Sequence, residues 1–205
     1  MSTETRLPAS SAPLAVAGPL AWLRGAGIVL AATAFVALCA HVALPLCFTP
    51  VPLTLQPFAV LLVGLLLSPR LAAVSLFAYL GEGVLGLPVF APSPASAPGL
   101  AHLFGPTAGY LLAYPFAALL ISLLYRRSRR GFLPALLSAG AGNLLILTMG
   151  ALWLGMLTHA PSPALLVQSV IPFLPGDALK VIAAASLAAG CLRLRRRNSR
   201  FSDPV

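Results

Sequence analysis

Acidic residues are almost missing from this sequence: only 4 of its 205 residues are Asp or Glu, against 13 that are Lys or Arg. Charged residues make up 8% of the chain and hydrophobic residues 59%, whereas about a quarter of the residues in a soluble domain are charged. This composition excludes an ordinary soluble domain. Several apolar runs approach the roughly 20 residues that cross a bilayer as a helix. We therefore predict an all-α, polytopic membrane protein.

The motifs of common enzyme classes are also missing. The chain contains no GxxxxGK[ST] phosphate-binding loop, no GxSxG and no HExxH, so it cannot hydrolyse ATP through such a loop. The three cysteines show no CxxC spacing, and His41, His102 and His159 are isolated in separate segments. These observations predict no metal site and no cofactor. They favour a binding or transport protein, with a membrane enzyme as the alternative.

Basic residues, nearly all of them arginine, follow a regular placement. Six apolar stretches lie between the charged residues, at 25–46, 53–68, 71–86, 109–125, 132–157 and 176–194. Arginines precede the first stretch, follow the sixth and occupy the second–third and fourth–fifth connections, while the other three connections contain none. Because basic connections stay on the cytoplasmic side, we predict six transmembrane helices with both termini in the cytoplasm.

The same placement explains the net charge of +9. The arginines cluster beside apolar stretches without interleaved aromatic residues, a pattern typical of membrane topology and not of nucleic-acid binding. We predict a disordered cytoplasmic tail over residues 1–24, a six-helix membrane domain over 25–194 and a basic cytoplasmic tail over 195–205. The arginine runs are expected to contact anionic membrane lipid.

The three connections without arginine, at 49–56, 86–110 and 158–176, are rich in Pro, Ser, Thr and Gly but are also apolar. A connection that is only solvated would carry charge, so these segments indicate a lid packed over a cavity on the outer side of the membrane. The connection at 86–110 is too long for a plain turn and is the best candidate for the lid.

Two opposite charges lie in the last apolar stretch. Asp177 and Lys180, the only lysine, are three residues apart just after Pro175 and Gly176, so on a helix they share one face. Inserting each charge into a membrane costs about 2.5–3.5 kcal/mol, which indicates a functional site. The alternative is structural: Asp177 caps the helix and Lys180 only neutralises it.

The first apolar stretch is dense in small residues, with Gly27 and Ala31 at small-xxx-small spacing. Such a surface lets another helix approach closely. Packing within this chain's own bundle and an interface with a partner subunit are both consistent with the pattern.

Four segments together resemble the BioY family: TPVPLTLQPFAVLLVGLLLSPR, YLGEGVLGLPVFA, FGPTAGYLLAYPFAA and FLPGDALK. The resemblance runs from about residue 28 to residue 194. It implies the six-helix fold of a substrate-binding (S) component of an energy-coupling-factor (ECF) transporter, specific for biotin and located in the bacterial cytoplasmic membrane. An S component for another vitamin is the alternative within transporters.

The resemblance also implies partners. Uptake would require a transmembrane coupling subunit and ATPase subunits, which alone would use ATP, and this agrees with the missing phosphate-binding loop. Small residues of the first helix, among them Gly27, Ala31 and Ala34, would contact the coupling subunit. Assembly of this chain into a homo-oligomer is a further possibility.

The family's D-x-x-K motif corresponds to Asp177 and Lys180. We hypothesise that Lys180 pairs with the biotin carboxylate and that Asp177 accepts a hydrogen bond from a ureido N–H. Pairing of the two residues with each other in the absence of ligand stays open.

Seven further residues are candidates for the site, each with a structural alternative. Thr54 and Gln56 either bond to the ligand or cap the second helix. Glu82 is either a second ureido acceptor or a partner for backbone N–H groups. Asn143 either reaches the pocket or bonds to another helix. Three aromatic residues either stack on the bicyclic ring of biotin or only pack: Tyr79, Phe90 and Tyr110.

Overall fold

The computed structural model describes residues 19–92 and 99–201. Its helices are α1 (Pro19–His41), α2 (Gln56–Leu66), α3 (Pro69–Val84), α4 (Ala108–Arg127), α5 (Phe132–Thr158), α6 (Ser162–Ser169) and α7 (Leu174–Phe201). A short 3-10 helix (Gly99–Phe104) precedes α4. Two two-residue strands, β1 (Ala43–Leu44) and β2 (Leu53–Thr54), form an antiparallel pair. The predicted all-α class is confirmed.

Within residues 19–92 and 99–201, three segments are long and apolar enough to cross a membrane: Leu20–His41, Ala108–Arg127 and Phe132–Thr158. A fourth crossing results if α6 and α7, which meet at 44°, form one broken span. The helices α2 and α3 have 11 and 16 residues, fewer than the roughly 20 that span a bilayer. The chain is a multi-pass membrane protein, while the count of six transmembrane helices stays a prediction.

Each predicted stretch contains a helix, but several ends differ. α1 ends at His41 and not at residue 46, because the chain turns there into β1, which pairs with β2. α1 also begins at Pro19, inside the predicted N-terminal tail, and α7 continues to Phe201 through the arginine run predicted as a tail. The sequence pattern does not predict α6, since its prolines suggest a loop. Proline is tolerated in the first helical turn, where Pro163 lies.

Buried apolar side chains form two clusters. The outer cluster is the larger and joins α1, α2, α3 and α4 to parts of α5 and to Phe173. The inner cluster joins the C-terminal parts of α2 and α4 to the start of α5 and the middle of α7. Alanines predominate in the inner cluster and let its helices approach closely. Its members are Leu61, Leu65, Ile121, Tyr125, Ala135, Ala139, Ala184, Ala185 and Ala188.

The C-terminal end of α4 contacts the connection between α2 and α3. The Ser122 hydroxyl donates a hydrogen bond to the carbonyl oxygen of Leu67 at 2.7 Å and accepts one from Nε of Arg126 at 3.3 Å. Through the inner cluster, the start of α5 reaches the same end of the bundle. The connections that carry arginine therefore lie together at what we call the arginine end, as the predicted topology requires. The opposite end is the outer end.

Candidate functional site

A cavity lies within the outer cluster, between α2, α4, α5 and the start of α7. Together with the open solvent at its mouth, it encloses about 530 Å³. Most of its wall is apolar, with a few polar groups. The lining residues are Val51, Pro52, Thr54, Gln56, Pro57, Ala91, His102, Thr107, Tyr110, Leu111, Tyr114, Ile146, Leu147, Phe173, Asp177 and Lys180.

Asp177 and Lys180 lie in the wall that α7 contributes. Nζ of Lys180 donates to Oδ1 of Asp177 at 2.9 Å. The aspartate is 4% exposed and the lysine 9%, so both charges are withdrawn from water. A buried charge without a counter-charge costs several kcal/mol, and here each charge neutralises the other. The three-residue spacing on one helix face produces this pair.

Asn143, on α5, orients the carboxylate. Its Nδ2 donates to Oδ2 of Asp177 at 3.2 Å, so each carboxylate oxygen accepts one side-chain hydrogen bond. The N–H of Asp177 donates to the carbonyl oxygen of Phe173 at 2.8 Å. The side chain of Asp177 therefore bonds to a lysine and an amide and does not cap α7. Oδ1 of Asn143 has no hydrogen-bond partner among the described residues.

A chain of hydrogen bonds fixes Gln56 at the start of α2. Its Nε2 donates to the Tyr79 hydroxyl at 2.6 Å, and that hydroxyl donates to the carbonyl oxygen of Val89 at 2.8 Å. The Thr54 hydroxyl lies 3.5 Å from Oε1 of Gln56 and accepts from its backbone N–H at 3.3 Å. Thr54 and Gln56 thus both line the cavity and order the start of α2.

The connection between α3 and α4 folds back over this region. The Phe90 ring packs edge-to-face on Tyr79, with ring centroids 5.6 Å apart. It occupies the space where a side chain at Gly83 would lie. The ring of His102 also lies next to the Phe90 ring, with the two ring centroids 5.0 Å apart. Within the described part of the predicted lid, Phe90 and His102 are therefore buried beside the cavity, whereas Leu100 and Phe104 are exposed.

Tyr110 joins α4 to the break between α6 and α7. Its hydroxyl donates to the carbonyl oxygen of Ser169 at 2.7 Å, and its ring lies 6.2 Å from that of Phe173, centroid to centroid. The ring also occupies the space above Gly150 on α5, where a side chain would overlap it. Tyr110 is therefore part of the cavity wall and a link to α6.

The structure separates the predicted site residues into three groups. Five line the cavity: Thr54, Gln56, Tyr110, Asp177 and Lys180. Three are buried directly behind the wall: Tyr79, Phe90 and Asn143. Glu82 is half-buried on α3 and does not line the cavity.

The predicted partner surface lies on α1. Gly27, Ala31 and Ala34 are all exposed, whereas Ala32 and Val36 of the same helix are buried. Positions 27, 31 and 34 share one helix face. Packing within the described bundle therefore does not account for these three small residues.

Sequence reasoning missed several lining residues, above all His102, Thr107, Tyr114 and Phe173. Tyr114 follows Tyr110 by four residues, so helical spacing could have indicated it. Thr107 and Phe173 lie inside quoted motifs. His102 is isolated from the other histidines in the sequence, and the fold of the connection before α4 brings its ring next to Thr107.

Comparisons with known proteins identify relatives of this chain. The BioY family model matches residues 11–197. The probable biotin transporter BioY of Pyrococcus horikoshii is 38% identical over 139 residues, covering 68% of this chain and 79% of the relative. The biotin transporter BioY2 of Lactococcus lactis subsp. cremoris is 33% identical over 171 residues, covering 83% and 91%. The biotin transporter BioY of Thermotoga maritima is 34% identical over 164 residues, covering 80% and 91%.

A solved structure is also similar: the S-component for biotin from an ECF-type ABC transporter, determined at 2.1 Å. It superposes with a TM-score of 0.77 at 26% sequence identity and covers 88% of this chain and 95% of that chain. The helical fold, the family match over residues 11–197 and several relatives above 30% identity lead to one conclusion. This chain belongs to the BioY family.

Proposed function

We propose that this chain binds biotin from outside the cell and serves biotin uptake as the S component of an ECF-type transporter. The observation that carries the proposal is the Asp177–Lys180 pair, buried in the wall of a small-molecule cavity at the outer end of the bundle. The relatives named as biotin transporters and the superposed S-component for biotin support biotin as the ligand. The chain acts as a binding component and not as an enzyme.

The cavity suits a ligand that is apolar in the middle and polar at its ends. Tyr110, Tyr114 and Phe173 give the wall flat aromatic surfaces against which a bicyclic ring can pack. The ion pair and the amide of Gln56 add hydrogen-bonding groups. Few polar groups in a mostly apolar wall fix the orientation of a ligand and supply specificity.

Two arrangements of biotin follow from the ion pair. The sequence hypothesis gives the carboxylate to Lys180 and a ureido N–H to Asp177. A second arrangement places the ureido group, and not the carboxylate, on both residues. It is supported by the bond that the two residues make to each other. Because their charges cancel, a neutral group with a donor beside an acceptor completes their bonding without adding charge. In this arrangement Asp177 accepts from a ureido N–H, Lys180 donates to the ureido oxygen, and the carboxylate lies elsewhere.

Transport also needs partners and a membrane. We propose the cytoplasmic membrane of a bacterium as the location, with a coupling subunit docked on the α1 face of Gly27, Ala31 and Ala34 and with ATPase subunits supplying the energy. Exposed apolar side chains such as Trp22, which is 72% exposed, would contact lipid or the coupling subunit. No cofactor of the chain itself is proposed.

The test is biotin binding to purified protein together with uptake of labelled biotin in cells, with and without candidate ATPase subunits. Wild type is expected to bind, and Asp177→Asn to bind roughly tenfold to a hundredfold more weakly, as for the loss of one charge-assisted hydrogen bond. Glu82→Gln removes an acid that does not line the cavity and is expected to keep the affinity. Equal affinities of wild type and Asp177→Asn would contradict the proposed site.

A panel of vitamins distinguishes the alternatives. A ligand that binds only the folded state raises the melting temperature, so biotin is expected to raise it and other vitamins are not. A larger shift with another vitamin would identify a different S component. Chemical conversion of the bound ligand would instead indicate a membrane enzyme.

A further inference from the structure

We propose that Tyr114 is a specificity-determining residue of the cavity, whose hydroxyl donates a hydrogen bond to the ureido oxygen of biotin. This inference rests on the proposed function, because it takes biotin as the ligand. It assigns a role to a polar atom in the cavity wall for which the described fold supplies no partner.

The Tyr114 side chain lies in the cavity wall with its hydroxyl unused. The residue is 3% exposed and lines the cavity. The hydroxyls of Tyr79 and Tyr110 each donate to a backbone carbonyl oxygen. Within residues 19–92 and 99–201, by contrast, no group forms a hydrogen bond with the hydroxyl of Tyr114. Because a buried tyrosine hydroxyl usually has a partner, this one indicates a partner that enters the cavity.

Tyr114 lies at the same level of the bundle as Asp177. The rings of Tyr110 and Phe173 are in contact, with centroids 6.2 Å apart. Tyr114 follows Tyr110 by four residues on α4, and Asp177 follows Phe173 by four. Both helices run from the outer end to the arginine end, so each step of four residues leads about 6 Å deeper. In agreement, Tyr79, Asp177 and Tyr110 are near enough to act electrostatically on the Tyr114 hydroxyl.

The ureido group is the part of biotin that reaches this level. In both proposed arrangements Asp177 accepts from a ureido N–H, and the ureido oxygen is attached to the carbon between the two N–H groups. A donor at the level of Asp177 can therefore reach that oxygen. The carboxylate oxygens of Asp177 already accept from Lys180 and Asn143, which leaves the ureido oxygen for Tyr114. Because a carbonyl oxygen has two lone pairs, it can accept from Tyr114 and from Lys180 together.

The experiment compares biotin with 2-thiobiotin, in which sulfur, a weaker acceptor, replaces the ureido oxygen. The Kd of each is measured on the purified full-length protein for wild type and for Tyr114→Phe, which removes the hydroxyl and keeps the ring. In Tyr114→Phe the biotin Kd is expected to rise roughly fivefold to tenfold, as for the loss of one neutral hydrogen bond, while the 2-thiobiotin Kd changes by less than about twofold. The ratio of the two Kd values therefore shifts against biotin. The melting temperature without ligand is expected not to fall, because the lost hydroxyl has no partner in the described fold.

Tyr125→Phe is the matched control, because it makes the same change on the same helix at a residue that belongs to the inner cluster and lies outside the cavity. It is expected to keep the wild-type ratio of the two Kd values. An unchanged ratio in Tyr114→Phe would overturn the assignment, even if both affinities fell, because the hydroxyl would then not bond to the ureido oxygen. So would an equal shift of the ratio in Tyr125→Phe. A wild type that does not bind biotin at all would contradict the proposed function itself.

Discussion

The charges of Asp177 and Lys180 lie 2.9 Å apart in a mostly apolar wall, and both side chains are largely buried. Removing one leaves the other buried without a counter-charge, which destabilises the fold by about 3–5 kcal/mol. We expect Asp177→Leu and Lys180→Met each to lower the melting temperature of the ligand-free protein strongly, and the double variant to recover most of that loss. Thermal unfolding in detergent measures this.

Binding is expected to respond differently from stability at these two residues. The double variant removes both hydrogen-bonding groups, so it should remain unable to bind biotin although its fold is recovered. A double variant that binds as wild type does would show that the pair has only a structural role. Equal melting temperatures of the single and double variants would contradict the energetic coupling of the two charges.

Gly150 lies directly against the ring of Tyr110, which leaves no room for a larger residue at this position. A methyl group there would overlap the ring of Tyr110, which bonds to Ser169 at 2.7 Å and lines the cavity. Gly150→Ala is expected to destabilise the protein by about 1–3 kcal/mol, as overpacking does, and to weaken biotin binding. Gly140→Ala is the control on the same helix, since a methyl group there meets no atom within 4 Å. Equal behaviour of the two variants would mean that the Tyr110 ring shifts freely.

Among the elements, α6 depends on two hydrogen bonds to its last carbonyl groups. The Thr49 hydroxyl donates to the carbonyl oxygen of Gln168 at 2.7 Å, and Tyr110 donates to that of Ser169. The first bond comes from the connection between β1 and β2 and the second from α4. Together they hold the end of α6 next to Tyr110, which lines the cavity, close to the 44° junction of α6 with α7.

Thr49→Val removes the first of these bonds together with the one that the Thr49 hydroxyl accepts from the backbone N–H of Val51 at 3.3 Å, while Thr49 itself does not line the cavity. One hydrogen bond contributes about 1 kcal/mol, so biotin is expected to dissociate roughly fivefold faster. The dissociation rate is measured by chase with unlabelled biotin. Thr148→Val is the control, because this exposed threonine bonds only to Leu144 of its own helix. An unchanged rate in Thr49→Val would indicate that α6 does not limit release.

For the whole molecule, the arginine pattern predicts which end faces the cytoplasm, and two natural cysteines can test it. Cys47 lies in the outer connection between β1 and β2, and Cys191 lies near the arginine end of α7; both are exposed. A membrane-impermeant maleimide added to intact cells is expected to label Cys47 and not Cys191. Versions that keep only one of the two cysteines, with Cys39 also replaced by alanine, give the readout. Labelling of Cys191 alone would reverse the topology.

Much of the fold follows from local patterns in the sequence. The apolar stretches predict the helices, and the i, i+3 spacing of Asp177 and Lys180 predicts that they share one helix face. The sequence pattern does not predict those elements whose conformation depends on tertiary contacts. The short strands β1 and β2 exist only as a pair, and α2 is an 11-residue helix that packs deep in the bundle.

In the candidate site, too, the sequence predicts the position of some residues and not of others. The sequence leaves Tyr79 and Asn143 with two possible roles each, contact with the ligand or a structural role, and in the structure they bond to Gln56 and Asp177 from behind the wall. No spacing rule distinguishes a residue that lines a cavity from one that supports the lining residue. His102 reaches the cavity because a connection folds back across α3, which a single sequence does not encode in any short pattern.

The alanine-rich inner cluster joins α2, α4, α5 and α7, whereas α1 packs only on the outer cluster among the described residues. Helices that pack through such small side chains lie close together and have little freedom to slide. We therefore expect the arginine end to keep the same conformation with and without bound ligand. A coupling subunit that contacted only the arginine end would then not distinguish the ligand-bound protein from the ligand-free protein. In the part of the chain that the structure describes, α1 is the long helix that packs on the outer cluster and not on the inner cluster, so we expect the effect of a bound ligand to reach a coupling subunit through α1.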